Sequence, residues 1–202
     1  TAPDHPWVEQ HPDYYVAGTE ADLAHAPENY TRVESDGRVL AYGRDPYFSG
    51  WPDTLQLDYS NPATQEALCG ELLRIAGQCD GLRCDMAMLM TNEVFAKTWN
   101  LLAPADEYWP PLIGRVKEAH PDFVFIAEAY WDMEWTLQQQ GFDYCYDKRL
   151  YDRLAHESAE SVRGHLQAGA DYQERLIRFI ENHDEPRAAA TFGDGQARAA
   201  AV

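Results

Sequence analysis

The chain has 202 residues, of which 45% are hydrophobic and 12% aromatic, and this composition excludes an intrinsically disordered protein. Its apolar runs are all much shorter than the roughly 20 residues that a membrane-spanning helix needs. With 34 acidic against 16 basic side chains the net charge is -18, so nucleic acid and anionic membranes are not expected partners.

The four cysteines follow none of the spacings typical of a zinc site or a disulfide framework. They are Cys69, Cys79, Cys84 and Cys145. Residues 1–12 have neither the basic start nor the apolar core of a signal peptide. We therefore expect reduced thiols and a cytoplasmic location.

Residues 1–60 are expected to form an irregular excursion, because the segment from Thr1 up to and including Pro62 has seven prolines and little periodicity. Within this excursion, Ser35-Asp36-Gly37 separates residues 30–34 from residues 38–42. A glycine after an aspartate is typical of a hairpin turn, so one small hairpin is predicted here.

Beyond residue 60, helical patterns alternate with short apolar runs, and residues 61–202 are expected to form a separate α/β domain. Asn61 and Pro62 predict the start of a helix that runs to Gln78. Strands are predicted at residues 81–85, 123–127, 142–146 and 176–181. Helical patterns occur at residues 92–102, from 106, at 132–141, around 151 and 162, and at 195–202. This alternation predicts a parallel sheet with crossover helices, in either an α/β barrel or a doubly wound fold.

Three of the four predicted strands run directly into a carboxylate: Asp85, Glu128 and Asp184. The carboxyl ends of parallel strands meet at one edge of a sheet, where active sites are built, so these acids are expected to converge. Each acid alone also has a structural interpretation. Asp85 could form an ion pair with Arg83, Glu128 could interact with a helix dipole, and Asp184 could form a hydrogen bond within its loop. Together they favour function, because several acids in one place repel each other and are costly to desolvate.

Glycoside cleavage with retention of configuration uses such a set of groups. One carboxylate attacks the anomeric carbon, a second protonates the leaving oxygen, and a third stabilises the oxocarbenium-like transition state. The sequence has neither a serine nucleophile elbow nor a glycine-rich phosphate loop. Aromatic side chains that could either line a sugar site or fill a core are Trp51, Tyr130, Trp131 and Trp135.

Residues 81–85 (Gly-Leu-Arg-Cys-Asp), 125–128 (Phe-Ile-Ala-Glu) and 181–184 (Glu-Asn-His-Asp) resemble three of the four signature regions of the α-amylase superfamily, glycoside hydrolase family 13. The regions occur in family order. The resemblance implies a (β/α)8 barrel with Asp85 as nucleophile, Glu128 as general acid/base and Asp184 as transition-state stabiliser. It also implies that Arg83 orients Asp85 and keeps it ionised, that His183 binds sugar hydroxyls and that Arg187 helps to close the sugar subsite.

Two departures from the family pattern refine these expectations. The signature at the end of the third strand is absent, so the chain is expected to comprise the excursion after strand three and barrel strands four to seven. Met88 and Leu89 stand where many endo-acting amylases have Lys-His, which favours action on short α-glucosides over endo-amylase action. The resemblance leaves hydrolysis, transglycosylation and isomerisation open, because all three use one glycosyl-enzyme intermediate.

Two alternatives compete with this interpretation. Enolase-type barrels also place three carboxylates at strand ends, but to bind Mg²⁺. The second alternative is a barrel that binds sugar but does not catalyse a reaction. No metal site and no cofactor are predicted from the residues present. Calcium, which is common in the family, cannot be predicted from this sequence, because the strand-three asparagine that helps to hold it is absent.

Overall fold

A computed structural model describes residues 1–100 and 106–200. The chain forms two compact units: the first comprises Thr1–Ile75 and Leu89–Tyr108, and the second comprises Ala76–Met88 and Trp109–Val202. The expected domain division at residue 60 stays a prediction. The end of the predicted helix at residues 101–102 lies outside the described residues.

The first unit contains a three-stranded antiparallel sheet in the order β1-β2-β3. Strand β1 (Tyr30–Arg32) pairs with β2 (Val39–Gly43) across a turn in which Gly37 has φ of 79°, which confirms the predicted hairpin. Strand β3 (Trp51–Leu55), which the sequence did not predict, contains Pro52. Proline is tolerated there because β3 is an edge strand.

Helical segments belong wholly or partly to the first unit. They are α1 (Trp7–Gln10), a 3-10 turn (Pro12–Tyr14), α2 (Glu20–His25), α3 (Pro62–Ala76), a 3-10 turn (Ala87–Met90) and α4 (Asn92–Trp99). Helix α3 and the second 3-10 turn each have residues in both units. One buried cluster of the first unit consists of Val8, Tyr15, Leu40, Leu55 and Leu57.

The second unit contains the predicted parallel sheet. Its strands are β4 (Gly81–Cys84), β5 (Val124–Ala127), β6 (Tyr144–Tyr146) and β7 (Leu176–Ile177), in that order and all parallel. Strand β7 is shorter than predicted, because Phe179 and Ile180 pack against a buried cluster of Tyr151, Ala188 and Phe192 instead of extending the ladder.

The helices of the second unit are crossover helices, which connect these strands, and one helix that follows β7. The crossover helices are α5 (Trp109–Ala119), α6 (Glu134–Gln139), α7 (Lys148–His156), α8 (Ala159–Leu166) and α9 (Ala170–Gln173). Helix α10 (Ala188–Ala200) follows β7. Helix α6 begins two residues later than predicted, since Trp131 and Asp132 have positive φ angles of 59° and 60°. Helix α10 begins earlier than predicted and is kinked at Gly193.

Phe142 packs edge to face against Trp109 of α5 and against Phe125 of β5, so it links this helix to this strand. None of the four cysteines forms a disulfide bond. Among the described helices, none has the length and apolar character needed to cross a membrane.

Candidate active site

The carboxyl ends of β4 and β5 bring three predicted site residues together. The ladder between these strands continues beyond them, because Glu128 N donates to Cys84 O at 3.0 Å and Ala87 N donates to Glu128 O at 3.1 Å. The chain turns at Met86, whose φ is 43°. This turn places Asp85 and Glu128 beside the side chain of Arg83.

Arg83 bridges the two carboxylates. Its Nη1 forms an ion pair with Asp85, its Nη2 lies 2.7 Å from Glu128 Oε1, and its Nε donates to the Tyr146 hydroxyl at 3.3 Å. Burial tends to lower the pKa of Arg83. The hydrogen bonds with Tyr146 and Asp85 and the charges of Glu128 and Asp85 outweigh burial, so this pKa rises above its ordinary value. Arg83 is therefore a fixed positive charge between two acids.

The two acids occupy different environments. The side chain of Asp85 is 77% exposed, whereas that of Glu128 is only 3% exposed. Glu128 Oε2 accepts from Met86 N at 2.6 Å, and Oε1 accepts from the Tyr130 hydroxyl at 3.1 Å. Asp85 is thus open to an incoming ligand, while Glu128 is held by donors on both oxygens.

The other three predicted site residues lie after β7. His183 Nε2 is 3.1 Å from Asp184 Oδ2, and both side chains are at least half exposed. Arg187 Nη1 donates to Glu181 Oε1 at 2.7 Å. Asn182 Oδ1 accepts from the backbone N of Asp184 at 2.9 Å and tightens this segment into a turn.

The charges of both Glu128 and Asp184 act on Tyr130. Burial, the charge and hydrogen bond of Glu128, and the charges of Asp184 and Glu185 together raise the pKa of the Tyr130 phenol. The structure therefore places Arg83, Asp85 and Glu128 in direct contact and Asp184 within electrostatic reach of Tyr130. Arg187 is paired with Glu181. The catalytic and binding roles of all six residues stay predictions.

Two residues beside this site, Tyr146 and Lys148, were not among the site residues predicted from the sequence. Tyr146 is the last residue of β6, and its position at a strand end was the available signal. Lys148 Nζ lies 3.1 Å from Glu185 Oε1 and 5.9 Å from the centre of the Tyr130 ring. Hydrogen bonds and charges of Asp152 and Glu185 outweigh burial and raise the pKa of Lys148.

Glu134, the first residue of α6, is a buried carboxyl group that is 2% exposed. Burial raises its pKa to about 7, and the charges of Asp132 and Asp147 act in the same direction. An acid whose pKa is raised by folding destabilises the folded protein above its unfolded pKa. This destabilisation is absent at pH values below the pKa of the unfolded state. It reaches its full size once the pH exceeds the pKa of the folded state.

We expect Glu134→Gln to raise the free energy of unfolding at pH 8 by on the order of 3 kcal/mol, but to change it little at pH 4.5. Urea titrations at the two pH values measure this difference. Glu160→Gln, which alters an exposed carboxylate on α8, is the matched control. An equal gain for Glu134→Gln at both pH values would contradict the assignment of a buried, proton-binding carboxyl.

A metal centre of the enolase type does not fit this arrangement. In the described part of the chain, no three His, Cys, Asp or Glu side chains are grouped as metal ligands would be. The Arg83 guanidinium also lies between Asp85 and Glu128, in the position from which a shared cation would contact both carboxylates.

Comparison with known proteins identifies the fold. No family profile matches the sequence. The crystal structure of an alpha-amylase from H. orenii aligns with all of this chain and 44% of its own, with a TM-score of 0.63 and 22% identity. Isomaltulose synthase from Klebsiella sp. LX3 aligns with 96% of this chain and 42% of its own, with a TM-score of 0.65 and 19% identity. The fold is therefore part of a (β/α)8 barrel.

The sequence comparison finds a related family of enzymes. Alpha-1,4-glucan:maltose-1-phosphate maltosyltransferase 2 of Streptomyces coelicolor is 27% identical over 148 residues, which cover 72% of this chain and 18% of the relative. The chain spans less than a fifth of the length of the curated relatives it matches. These matches confirm the predicted relationship to the α-amylase superfamily.

Proposed function

We propose that this chain contributes the catalytic carboxylates of a retaining α-glycosidase or transglycosylase that acts on α-glucosides or α-glucans. The observation that carries the proposal is the Arg83 bridge between an exposed Asp85 and a buried Glu128 at adjacent strand ends. The maltosyltransferase and alpha-amylase relatives support an α-glucan substrate. Met88 and Leu89 support short α-glucosides over internal bonds of a long glucan.

In the first step, an Asp85 oxygen attacks the anomeric carbon while the bond from that carbon to the leaving oxygen breaks. Glu128 gives a proton to the leaving oxygen, so the leaving sugar departs as a neutral alcohol. Arg83 stabilises Asp85 as the anion needed for this attack. The product is a covalent glycosyl-Asp85 ester and a Glu128 carboxylate.

In the second step, Glu128 removes a proton from water or from a sugar hydroxyl as that oxygen attacks the anomeric carbon. The ester bond breaks, and Asp85 leaves as a carboxylate. Water gives hydrolysis and a sugar hydroxyl gives transglycosylation. Because both steps invert the anomeric carbon, the net result is retention of configuration.

The proposed roles of the segment after β7 are electrostatic. Asp184 stabilises positive charge on the sugar ring in both transition states, and His183 donates to a sugar hydroxyl. Arg187 closes the sugar subsite after its pair with Glu181 opens. Four cysteines without a disulfide bond support a reducing, cytoplasmic location, which is likewise a proposal.

The intermediate itself provides the test. We expect 5-fluoro-α-D-glucosyl fluoride to inactivate the full-length protein with time and to leave a fluoroglucosyl group on Asp85, because ring fluorine slows the second step. Peptide mass spectrometry locates the label. An excess of maltose should protect the protein. Labelling of another carboxylate, or inactivation without a covalent adduct, would contradict the proposal.

A further inference from the structure

Lys148 lies where the segments that follow β5, β6 and β7 meet. It is the first residue of α7, and its side chain is only 16% exposed. Its Nζ lies 3.1 Å from Glu185 Oε1 in the segment after β7, and 2.5 Å from Asp152 Oδ1 one turn further along α7. It also lies 5.9 Å from the centre of the Tyr130 ring in the segment after β5. One ammonium group thus interacts with the chain after three successive strands.

The backbone at Lys148 is anchored by the residue before it. Asp147 is fully buried and caps α7, because its Oδ1 accepts from Leu150 N at 3.0 Å. Its Oδ2 lies 3.1 Å from His165 Nε2 of α8 and 3.5 Å from Arg178 Nε. A buried carboxylate with partners on both oxygens fixes the start of α7, so Lys148 extends from a fixed position.

Residues 181–187, here called the Asp184 segment, are supported differently. Asn182 Oδ1 accepts from the backbone N atoms of both Asp184 and Glu185 at 2.9 Å, and these bonds join the segment to itself. The Asp184 side chain is 50% exposed. The ion pair between Glu185 and Lys148 joins the segment to α7, and the Glu185 side chain is only 19% exposed.

This ion pair pulls the Asp184 segment toward α7. Burial tends to lower the pKa of Lys148, but its hydrogen bonds with Asp152 and Glu185 and their charges raise it, so the ammonium stays charged. Water screens the pair with Glu185 less than it screens a fully exposed pair. Without the ammonium, Asp152 and Glu185 would repel each other, and Glu185 would be better solvated away from α7.

We propose that Lys148 is a positioning residue, which acts through Glu185 to hold Asp184 within electrostatic reach of Tyr130 and Glu128. This inference rests on the proposed function, in which Asp184 stabilises positive charge on the sugar ring in both transition states. That stabilisation depends on distance, and a displacement of about 1 Å can cost on the order of 10²-fold in rate. The competing explanation is purely structural: Lys148 would then stabilise α7 through Asp152 alone.

The test compares variants of the full-length protein with α-D-glucosyl fluoride as substrate. We expect Lys148→Met and Glu185→Ala each to lower kcat by about ten- to a hundredfold and to change KM by less than about threefold, because Asp184 acts in the transition states. Asp152→Ala is the matched control, since it removes the other partner of Lys148 and leaves the pair with Glu185. Its kcat should stay within about twofold of wild type. Equal falls in kcat for Asp152→Ala and Lys148→Met would overturn the assignment.

Two further variants show whether Lys148 acts through Glu185. The double variant Lys148→Met/Glu185→Ala should be no slower than the slower single variant, because both substitutions remove the same contact. Lys148→Arg should keep most of the wild-type kcat, since it keeps a positive charge beside Glu185. Additive losses in the double variant, or a Lys148→Arg variant as slow as Lys148→Met, would overturn the inference. If Lys148→Met does not fold, Glu185→Ala and Asp152→Ala still give opposite expected results.

Hydrogen–deuterium exchange separates failure of this inference from failure of the proposed function. In Lys148→Met, backbone amides of the Asp184 segment should exchange about tenfold faster than in wild type, because the segment is no longer joined to α7 through Glu185. In Asp152→Ala their exchange should not change. If the wild-type protein releases no fluoride, the proposed function is wrong, and exchange alone then judges whether Lys148 holds the segment. Unchanged exchange in Lys148→Met would overturn the inference.

Discussion

Asp85→Asn in the full-length protein is expected to lower kcat/KM for α-D-glucosyl fluoride by at least about four orders of magnitude. The amide is too weak a nucleophile to form the glycosyl ester, and the nucleophile and the proton donor act as a unit. A good leaving group cannot rescue this variant, because the missing group attacks carbon and does not assist departure.

The fold should survive this substitution. Asp85 is 77% exposed, and ion pairs with an exposed partner contribute little to stability. Circular dichroism and urea unfolding check this expectation. Asp171→Asn on α9 is the control for removal of an exposed carboxylate. Residual activity above about a tenth of wild type would show that Asp85 is not the nucleophile.

Glu128→Gln is expected to separate substrates by their leaving groups. Loss of a general acid costs about 10²- to 10⁴-fold when the leaving oxygen needs a proton, as in maltose. Fluoride and 4-nitrophenolate leave with little or no protonation, so formation of the glycosyl ester from their glucosides should fall far less. The ratio of kcat/KM for maltose to that for 4-nitrophenyl α-glucoside measures the effect.

The buried position of Glu128 requires a check on folding, since replacing one member of a buried ion pair leaves the other without a full partner. Glutamine still offers an acceptor to Met86 N, which should keep the loop in place. A soluble, folded variant that loses equal activity on both substrates would show that the general acid lies elsewhere.

The positions of β4 and β5 along the chain, and their carboxyl ends, were predictable because they depend on local patterns. The run at residues 123–127 is short and apolar, as a strand buried on both faces must be, and Glu128 follows it directly. The family motifs then assigned roles to side chains that composition alone would have left as ion pairs. The sequence predicted that Asp85 and Glu128 lie at the carboxyl ends of adjacent parallel strands, and the structure places both residues there.

The surroundings of Glu128 could not be predicted in the same way. A proton donor was expected among other acids, but its oxygens contact Arg83, Met86 N and the Tyr130 hydroxyl, all of which are donors. Two of these contacts depend on the turn at residue 86 and on how the chain leaves β5. Such contacts are set by tertiary packing, which the order of residues does not reveal.

The same limit applies to β3 and β7. Pro52 conceals β3 because the sequence does not show that the strand lies at a sheet edge. Strand β7 stops early because the ring of Phe179 packs against the ring of Tyr151, with 5.7 Å between the ring centres. These two residues are 28 positions apart in the sequence. Short-range periodicity contains no information about such a pair.

The bond from Met86 N to Glu128 Oε2 has a consequence for natural variation at residue 86. The backbone supplies this donor, so the bond does not depend on which side chain residue 86 has. Two constraints remain: an amide hydrogen must be present, and φ of 43° must be tolerated. Proline fails on both counts, whereas glycine and asparagine meet both with less strain than methionine.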